Sequence, residues 1–255
     1  MQAPTTVLIT GASGGIGAAL ARNYAEPGRI LILHGRDLTR LTAVATDCKA
    51  QGARVLTLTF DVRDADATIE QLRSVSQREV IDLAIVNAGV TQAIGSGEVF
   101  ESFATTREVL AVNLEGALAT IAGVLPEMVR RGNGQIALVS SLAAYVGLPR
   151  TPAYCASKAA LKTYGESLRL RLARRGVAVN VVLPGFVRTA MTDRVKGSKP
   201  AIIPPERAAL LIRRGLERNR PRIAFPRRLA WGLRLLSVLP ASIAERILAG
   251  IGFGK

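Results

Sequence analysis

The sequence predicts one α/β domain, a doubly wound parallel sheet of about seven strands with helices on both faces. Three observations lead there. Short apolar runs recur at Val7–Thr10, Ile30–His34, Val55–Phe60, Leu83–Asn87, Ile136–Ser140 and Val177–Leu183. Segments of helical length and periodicity separate them. A glycine-rich turn joins the first run directly to the first helix. Runs that are apolar throughout must be covered on both faces, and right-handed β-α-β crossovers supply that cover.

Taken in order, the first strand enters Thr10-Gly11-Ala12-Ser13-Gly14-Gly15-Ile16-Gly17, and a helix is expected over Gly15–Ala25. The second strand ends at His34-Gly35-Arg36-Asp37 before a helix over Leu38–Gln51. Short landmarks follow the next two strands: Asp61-Val62 stands after the third, ahead of a helix over Ala67–Ser76, and Asn87-Ala88-Gly89 closes the fourth. A long helix is expected over Phe103–Arg130, ended by the turn Gly132-Asn133-Gly134. The fifth strand leads to Ser141, a helix over Ala153–Arg175 follows, and the sixth strand runs into Pro184-Gly185. Beyond Pro184 comes a polar, proline-punctuated stretch through Pro204-Pro205 and an arginine-rich helical tail.

At 255 residues the chain buries roughly three quarters of its unfolded surface, so no disulfide or metal is needed to hold it together. Its 49% hydrophobic and 21% charged residues exclude a disordered, collagen-like or coiled-coil chain. The formal charge of +15 would suit an acidic partner such as nucleic acid, anionic lipid or a phosphorylated ligand. That charge is concentrated: residues 188–255 hold 15 basic and 4 acidic side chains, which leaves +4 for everything before them. The N-terminal segment lacks the basic region, apolar core and cleavage site of a signal peptide. Cys48 and Cys155 have no metal-type spacing and fit free thiols in a reducing compartment. A cytoplasmic location and no metal site are therefore expected. The single histidine, His34, reads as a strand-end residue, which disfavours Ser-His-Asp chemistry.

A strand, glycine turn and helix in succession are what a nucleotide-binding loop needs. Glycines permit a tight turn and close approach of a pyrophosphate, and the helix N-terminus offers unpaired N–H groups at its positive end. The spacing here is not Gly-x-Gly-x-x-Gly, and the turn alone fits a structural role equally well. Gly11, Gly15 and Gly17 instead match the Thr-Gly-x-x-x-Gly-x-Gly turn of the short-chain dehydrogenase/reductase family. Asp61-Val62, Asn87-Ala88-Gly89, Asn113, Ser141, Tyr154-x-x-x-Lys158 and Pro184-Gly185 then occur in that family's order, so the chain resembles the family over roughly residues 5–190. The resemblance implies a Rossmann-type fold in which residues 1–190 form the dinucleotide-binding and catalytic core. Residues 191–255 are then a substrate loop and a basic amphipathic extension of the same domain.

Tyr154 and Lys158 are four residues apart and share one helix face. An ammonium beside a phenol favours the phenolate and lowers the tyrosine pKa. Alone, the pair would read as an amphipathic tyrosine next to a solvated lysine, and the accompanying motifs are what favour a functional role. The resemblance implies hydride transfer between nicotinamide and a carbonyl or alcohol carbon. Tyr154 is then the general acid/base, and Lys158 lowers its pKa and binds the nicotinamide ribose. Ser141, 13 residues before Tyr154, would polarise the substrate carbonyl, with Ser140 the lesser alternative. Asn113 is a poor helix former in mid-helix, explained in the family by a backbone distortion that holds a proton-relay water. Cofactor contacts are implied for Gly11, Ser13, Gly15, Ile16 and Gly17, for Asp61 and Val62 at the adenine, for Asn87, Ala88 and Gly89, and for Pro184, Gly185, Val187 and Thr189. A catalytically idle binding protein on the same scaffold, or a membrane-surface adaptor, is the alternative reading.

An acidic residue at the end of the second strand would bind the ribose of NAD and repel the phosphate of NADP. Gly35 occupies that position and Arg36 follows, so a guanidinium is available for a 2′-phosphate, with Ser13 adding a hydrogen bond. The competing candidate, Asp37, reads as the N-cap of the next helix. NADP is expected ahead of NAD.

Substrate contacts are implied for residues 142–151 and 186–205, where Leu142, Tyr145, Val146, Leu148, Phe186 and Met191 suggest an apolar pocket for a hydrophobic carbonyl or alcohol. The tail sets basic clusters against an apolar run, Leu229–Leu239, that holds Trp231 and is too short to span a bilayer. It suits a helix lying on the inner face of an anionic membrane, or one that caps the cleft or meets another subunit. Nucleic-acid binding is not expected, because aliphatics interleave the basic residues and no stacking platform accompanies them. A homodimer or homotetramer built on the two long helices is implied by the resemblance alone.

Overall fold

The computed structural model describes residues 3–95, 97–194 and 199–250. Its elements are β1 (Thr6–Thr10), α1 (Gly15–Tyr24), β2 (Ile30–His34), α2 (Leu38–Ala50), β3 (Arg54–Leu58), α3 (Ala65–Arg78) and β4 (Leu83–Val86). There follow α4 (Phe103–Leu110), a π-helical turn (Ala111–Glu115), α5 (Gly116–Arg131), β5 (Gly134–Val139), a 3₁₀ turn (Leu142–Ala144), α6 (Pro152–Leu172) and β6 (Val177–Pro184). The chain continues with α7 (Ala190–Asp193), α8 (Pro205–Glu217), β7 (Arg222–Phe225), α9 (Arg227–Leu236) and α10 (Ala241–Gly250).

Local chemistry sets most boundaries. Asp37, Asp64 and Ser102 each accept a backbone N–H from the first turn of the helix they precede, at 3.0 to 3.1 Å. Proline opens α6 and α8, where its missing N–H costs nothing. Gly132, left-handed at φ +64°, ends α5.

The strands form one parallel sheet in the order β3-β2-β1-β4-β5-β6-β7. Strand alternation divides the core in two. Val7, Ile9, Leu31, Leu33 and Ile85 face α1, α2 and α8, whereas Leu8, Ile32, Ala84, Ile136 and Leu138 face α3, α5 and α6. Gly165 lets α6 lie close on the sheet, since a methyl there would stand 2.5 Å from Leu138 Cδ1. The chain leaves β1 toward β2 and leaves β4 toward β5, so a crevice opens between the C-terminal ends of β1 and β4.

The helical stretch from Phe103 carries at Asn113 the distortion that the resemblance implied: a π-helical turn over Ala111–Glu115 adds one residue between α4 and α5. Two differences from the sequence expectations matter. The segment Arg222–Phe225, masked in the sequence by flanking arginines, is the seventh strand and pairs with β6 through Val182 and Ile223. The tail is two helices with a break at Ser237–Pro240, and α9 buries Ala230, Leu233 and Leu236 against Leu142, Val181 and Leu183.

Candidate functional site

The crevice between β1 and β4 is closed by direct hydrogen bonds. Thr10 Oγ1 accepts from the backbone N–H groups of Asn87 (2.9 Å) and Ala88 (3.1 Å). Asn87 Nδ2 donates in return to the carbonyls of Thr10 (2.9 Å) and Gly11 (3.3 Å). α1 begins immediately above this stitch. A side chain at Gly17 would overlap the Gly11 carbonyl oxygen, and one at Gly11 would come within 2.9 Å of Ala88 Cα. No side chain caps α1, and nothing stands within 4 Å of a methyl built on its N-cap Gly14. The leading N–H groups of the helix are thus free of side-chain partners and carry its positive end.

The other residues expected at a dinucleotide are distributed around this turn. Ile16 packs on the core beneath it. A methyl at Gly15 would lie 3.1 Å from Thr189 Cγ2, so Thr189 is beside the turn, with its hydroxyl engaged in a capping box with Thr192. Pro184 ends β6, Gly185 donates its N–H to Phe225 O at 2.7 Å, and Val187 is buried and bridged to Ile203. Residues 195–198 of the expected substrate loop lie outside the described residues. Leu142, expected to line the substrate pocket, is instead a core residue under α9.

At the end of β2, a methyl on Gly35 would stand 3.1 Å from Ser13 Oγ, which places Ser13 over the glycine. Arg36 is half exposed, with Nη1 3.6 Å from Asp61 Oδ2. Hydrogen bonds from Arg63, with the charge of Arg36 beyond them, hold the Asp61 carboxyl below the usual range. Asp37 is the N-cap of α2, and Arg40 Nε also binds it at 2.6 Å, so both its oxygens are engaged. Val62 is buried under Gly116 at the start of α5. A glycine cradle, free helix N–H groups and a half-exposed guanidinium fit a phosphorylated dinucleotide.

The second cluster lies on the other side of the crevice, on α6 and the π-helical turn. Asn113 is fully buried, with Oδ1 accepting from Val90 N (2.7 Å) and Nδ2 donating to Val90 O (2.9 Å) and Ser157 Oγ (3.1 Å). Ser157 Oγ donates to Tyr154 O at 2.7 Å. Lys158 Nζ donates to Val139 O at 3.0 Å and lies 5.7 Å from the centre of the Tyr154 ring. Gly89 separates these groups, since a methyl there would be 3.2 Å from Asn113 Oδ1 and 3.3 Å from Lys158 Nζ. Ser141 Oγ accepts from Ala143 N at 3.1 Å, capping the 3₁₀ turn. Ser140 is turned away, donating to the Lys158 carbonyl at 2.6 Å.

Burial acts on both members of the pair. Desolvation raises the Tyr154 phenol above its ordinary value, opposed by Ser141, and lowers the Lys158 amine to about 8. For each of the two groups the loss of water on burial is the largest influence.

Sequence reasoning missed three participants. Thr10 stood in the glycine motif but was read only as its first letter. Ser157, between Tyr154 and Lys158, carries the link to Asn113. Glu101, 52 residues before Ala153, accepts its N–H at 3.0 Å and so caps α6, where Thr151 makes no side-chain cap. No local pattern signals that contact. His34 is a buried strand end whose Nε2 meets Phe60 O at 3.0 Å, and both cysteines are free and buried. Among the described residues no cluster could hold a metal ion.

A family model described as short chain dehydrogenase matches residues 5–199. The chain is 37% identical over 236 residues to an uncharacterized oxidoreductase from Myxococcus xanthus, covering 92% of each. It is 32% identical over 253 residues to a fatty acyl-CoA reductase from Acinetobacter baylyi, covering 96% of this chain and 83% of the relative. The fold resembles a short-chain dehydrogenase from Sphingobium yanoikuyae solved in complex with NADPH, with a TM-score of 0.81 and 29% identity over 96% of this chain and 95% of the other.

Buried Lys158 carries a signed pH effect. Its amine titrates near 8 in the fold against an ordinary 10.5, so between those values the unfolded chain binds more protons and stability rises with pH. Lys158→Met removes the effect. The variant's unfolding free energy minus that of the wild type should fall by on the order of 3 kcal/mol from about pH 7 to about pH 11. Denaturant titrations at both ends check this, and a flat difference would mean that the amine is not desolvated.

Proposed function

Because the chain belongs to the short chain dehydrogenase family of NAD(P)-dependent oxidoreductases, we propose that it reduces the carbonyl of a hydrophobic small molecule with NADPH, reversibly. When bound, the nicotinamide supplies or accepts the hydride. Gly11, Gly15 and Gly17 leave the backbone room to meet the pyrophosphate at the N-terminus of α1. Ser13 and Arg36 bind the 2′-phosphate, and Asp61 and the Val62 backbone meet the adenine. Asn87, Ala88, Gly89, Pro184, Gly185, Val187 and Thr189 line the remainder of the cofactor cleft. The observation that carries this reading is the chain of contacts from Asn113 through Ser157 to Tyr154, with Lys158 beside the Tyr154 ring, next to a glycine cradle suited to a dinucleotide.

Tyr154, a phenol whose burial raises its pKa further, donates its proton to the substrate oxygen as negative charge develops there. Ser141 donates a second hydrogen bond to that oxygen. Lys158, cationic or neutral within reach of physiological pH, binds the nicotinamide ribose and compensates the phenolate that proton donation leaves. Asn113 supports a water that returns a proton through Lys158.

A lipophilic substrate is supported by the similarity to a fatty acyl-CoA reductase and by the apolar character of Tyr145 and Val146, which follow Ser141 and pack with the cluster under α9.

Tyr154→Phe should lower kcat/KM by roughly 10²- to 10⁴-fold while leaving NADPH binding intact, measured by steady-state kinetics and cofactor fluorescence titration. Retained turnover would exclude Tyr154 as the acid. Arg36→Asp should cut the NADPH-to-NADH ratio of kcat/KM roughly ten- to hundredfold. An unchanged ratio would move 2′-phosphate recognition elsewhere. Across straight-chain aldehydes, kcat/KM should rise about fourfold per methylene until the pocket is filled, and a panel with no dependence on chain length would argue against a hydrophobic substrate.

A further inference from the structure

One surface is left unused by the dehydrogenase reading. The inner face of α9 is accounted for, since Ala230, Leu233 and Leu236 pack on the core. The outer face is also apolar. Trp231 and Leu235 are four residues apart, share that face and are 66% and 63% exposed, with Val238 beyond the helix end at 74%. Ile243 and Ile247 repeat the i, i+4 spacing on α10 and are exposed as well. Isolated exposed aliphatics are ordinary, but a tryptophan within an aligned stripe marks a contact surface.

Cations flank the stripe. Arg227 and Arg228 are exposed at the start of α9, and the Arg234 guanidinium lies 5.6 Å from the Trp231 ring centre. Residues 218–240 hold six arginines and no carboxylate. Arg218, Arg220 and Arg222 precede α9, Arg222 paired with Glu166, so the cations on the helix beside the stripe are Arg227, Arg228 and Arg234. We propose that this face, Trp231 and Leu235 flanked by these arginines, docks the protein on an anionic lipid bilayer.

Charge selects the occupant. A second copy meeting the α9 face symmetrically would oppose Arg227, Arg228 and Arg234 to their own counterparts, with Glu245 on α10 the single carboxylate in residues 218–250 to offset them. A nucleic acid would satisfy the arginines and strand the aliphatics. An anionic bilayer satisfies both, with guanidinium groups at the phosphates and Trp231 and Leu235 below them. Docking would also bring Tyr145 and Val146, which pack with α9, close to the lipid surface. The inference stands independently of the catalytic reading.

Trp231 is the only tryptophan in the chain, so its fluorescence reports directly on the proposed contact. Full-length protein titrated with phosphatidylglycerol/phosphatidylcholine vesicles should show a blue-shifted emission that brominated lipid quenches and added salt reverses. Pure phosphatidylcholine vesicles should leave the emission unchanged. Arg227→Ser with Arg228→Ser should weaken binding roughly thirty-fold, and Leu235→Ser should weaken it as well. Circular dichroism and melting curves confirm that these exposed substitutions leave the fold intact. Unchanged wild-type emission with anionic vesicles, or equal binding by the arginine variant, would overturn the proposal. So would a lipid-independent blue shift accompanied by a doubled mass in light scattering, which would assign the face to a second copy.

Discussion

The structure depends on a steric condition at the end of β1. α1 can begin over that strand only because neither Gly11 nor Gly17 carries a side chain. With both positions bare, the helix comes down on the turn and its leading N–H groups face the crevice. The same closeness lets Asn87 reach the Thr10 and Gly11 carbonyls, which ties β4 to β1 where their connections diverge. Two adjacent parallel strands therefore end in register, and the residues that follow each are delivered to a common cleft.

Across that cleft a different constraint operates. Asn113 must reach the backbone of Val90, and a regular helix through residues 103–131 would carry a poor helix former with its amide competing for helical carbonyls. The π-helical turn resolves this by adding one residue to the turn, and both amide groups of Asn113 are then satisfied internally. The buried Lys158 amine donates to the Val139 carbonyl, and among the described residues it is paired with no carboxylate, so burial depresses its pKa. Such a group lowers stability at neutral pH. Glu101 contributes from outside the motif by capping α6, whose first turn carries the tyrosine.

The net charge has a local explanation. Most of the +15 lies after residue 187, and the α9 segment within it combines cations with apolar residues on two faces. One face completes the core next to the residues after Ser141; the other is solvent-exposed. Counting charge along the chain distinguishes the tail from the body, but only the helix's packed side reveals which apolar residues remain available.

Much of the fold was legible in the sequence because its signals are local. Strand runs that are apolar on both faces, N-caps such as Asp37 and the glycine spacing at 11, 15 and 17 all act within a few residues, and they led to the doubly wound parallel sheet. The same motifs brought forward Tyr154, Lys158, Asn113 and Ser141 as site candidates. β7 escaped because four residues between arginines carry too little pattern, and the break at Ser237–Pro240 escaped because apolar residues continue across it. The sequence by itself determined the layers of this protein and the residue types at its cleft. Tertiary structure alone decided how those residues behave: that burial raises Tyr154 and lowers Lys158, that Arg63 grips Asp61 beside Arg36, and that Glu101 caps a helix 52 residues away. Desolvation and long-range hydrogen bonds depend on what the folded chain places around a group, and neighbours in sequence do not record that.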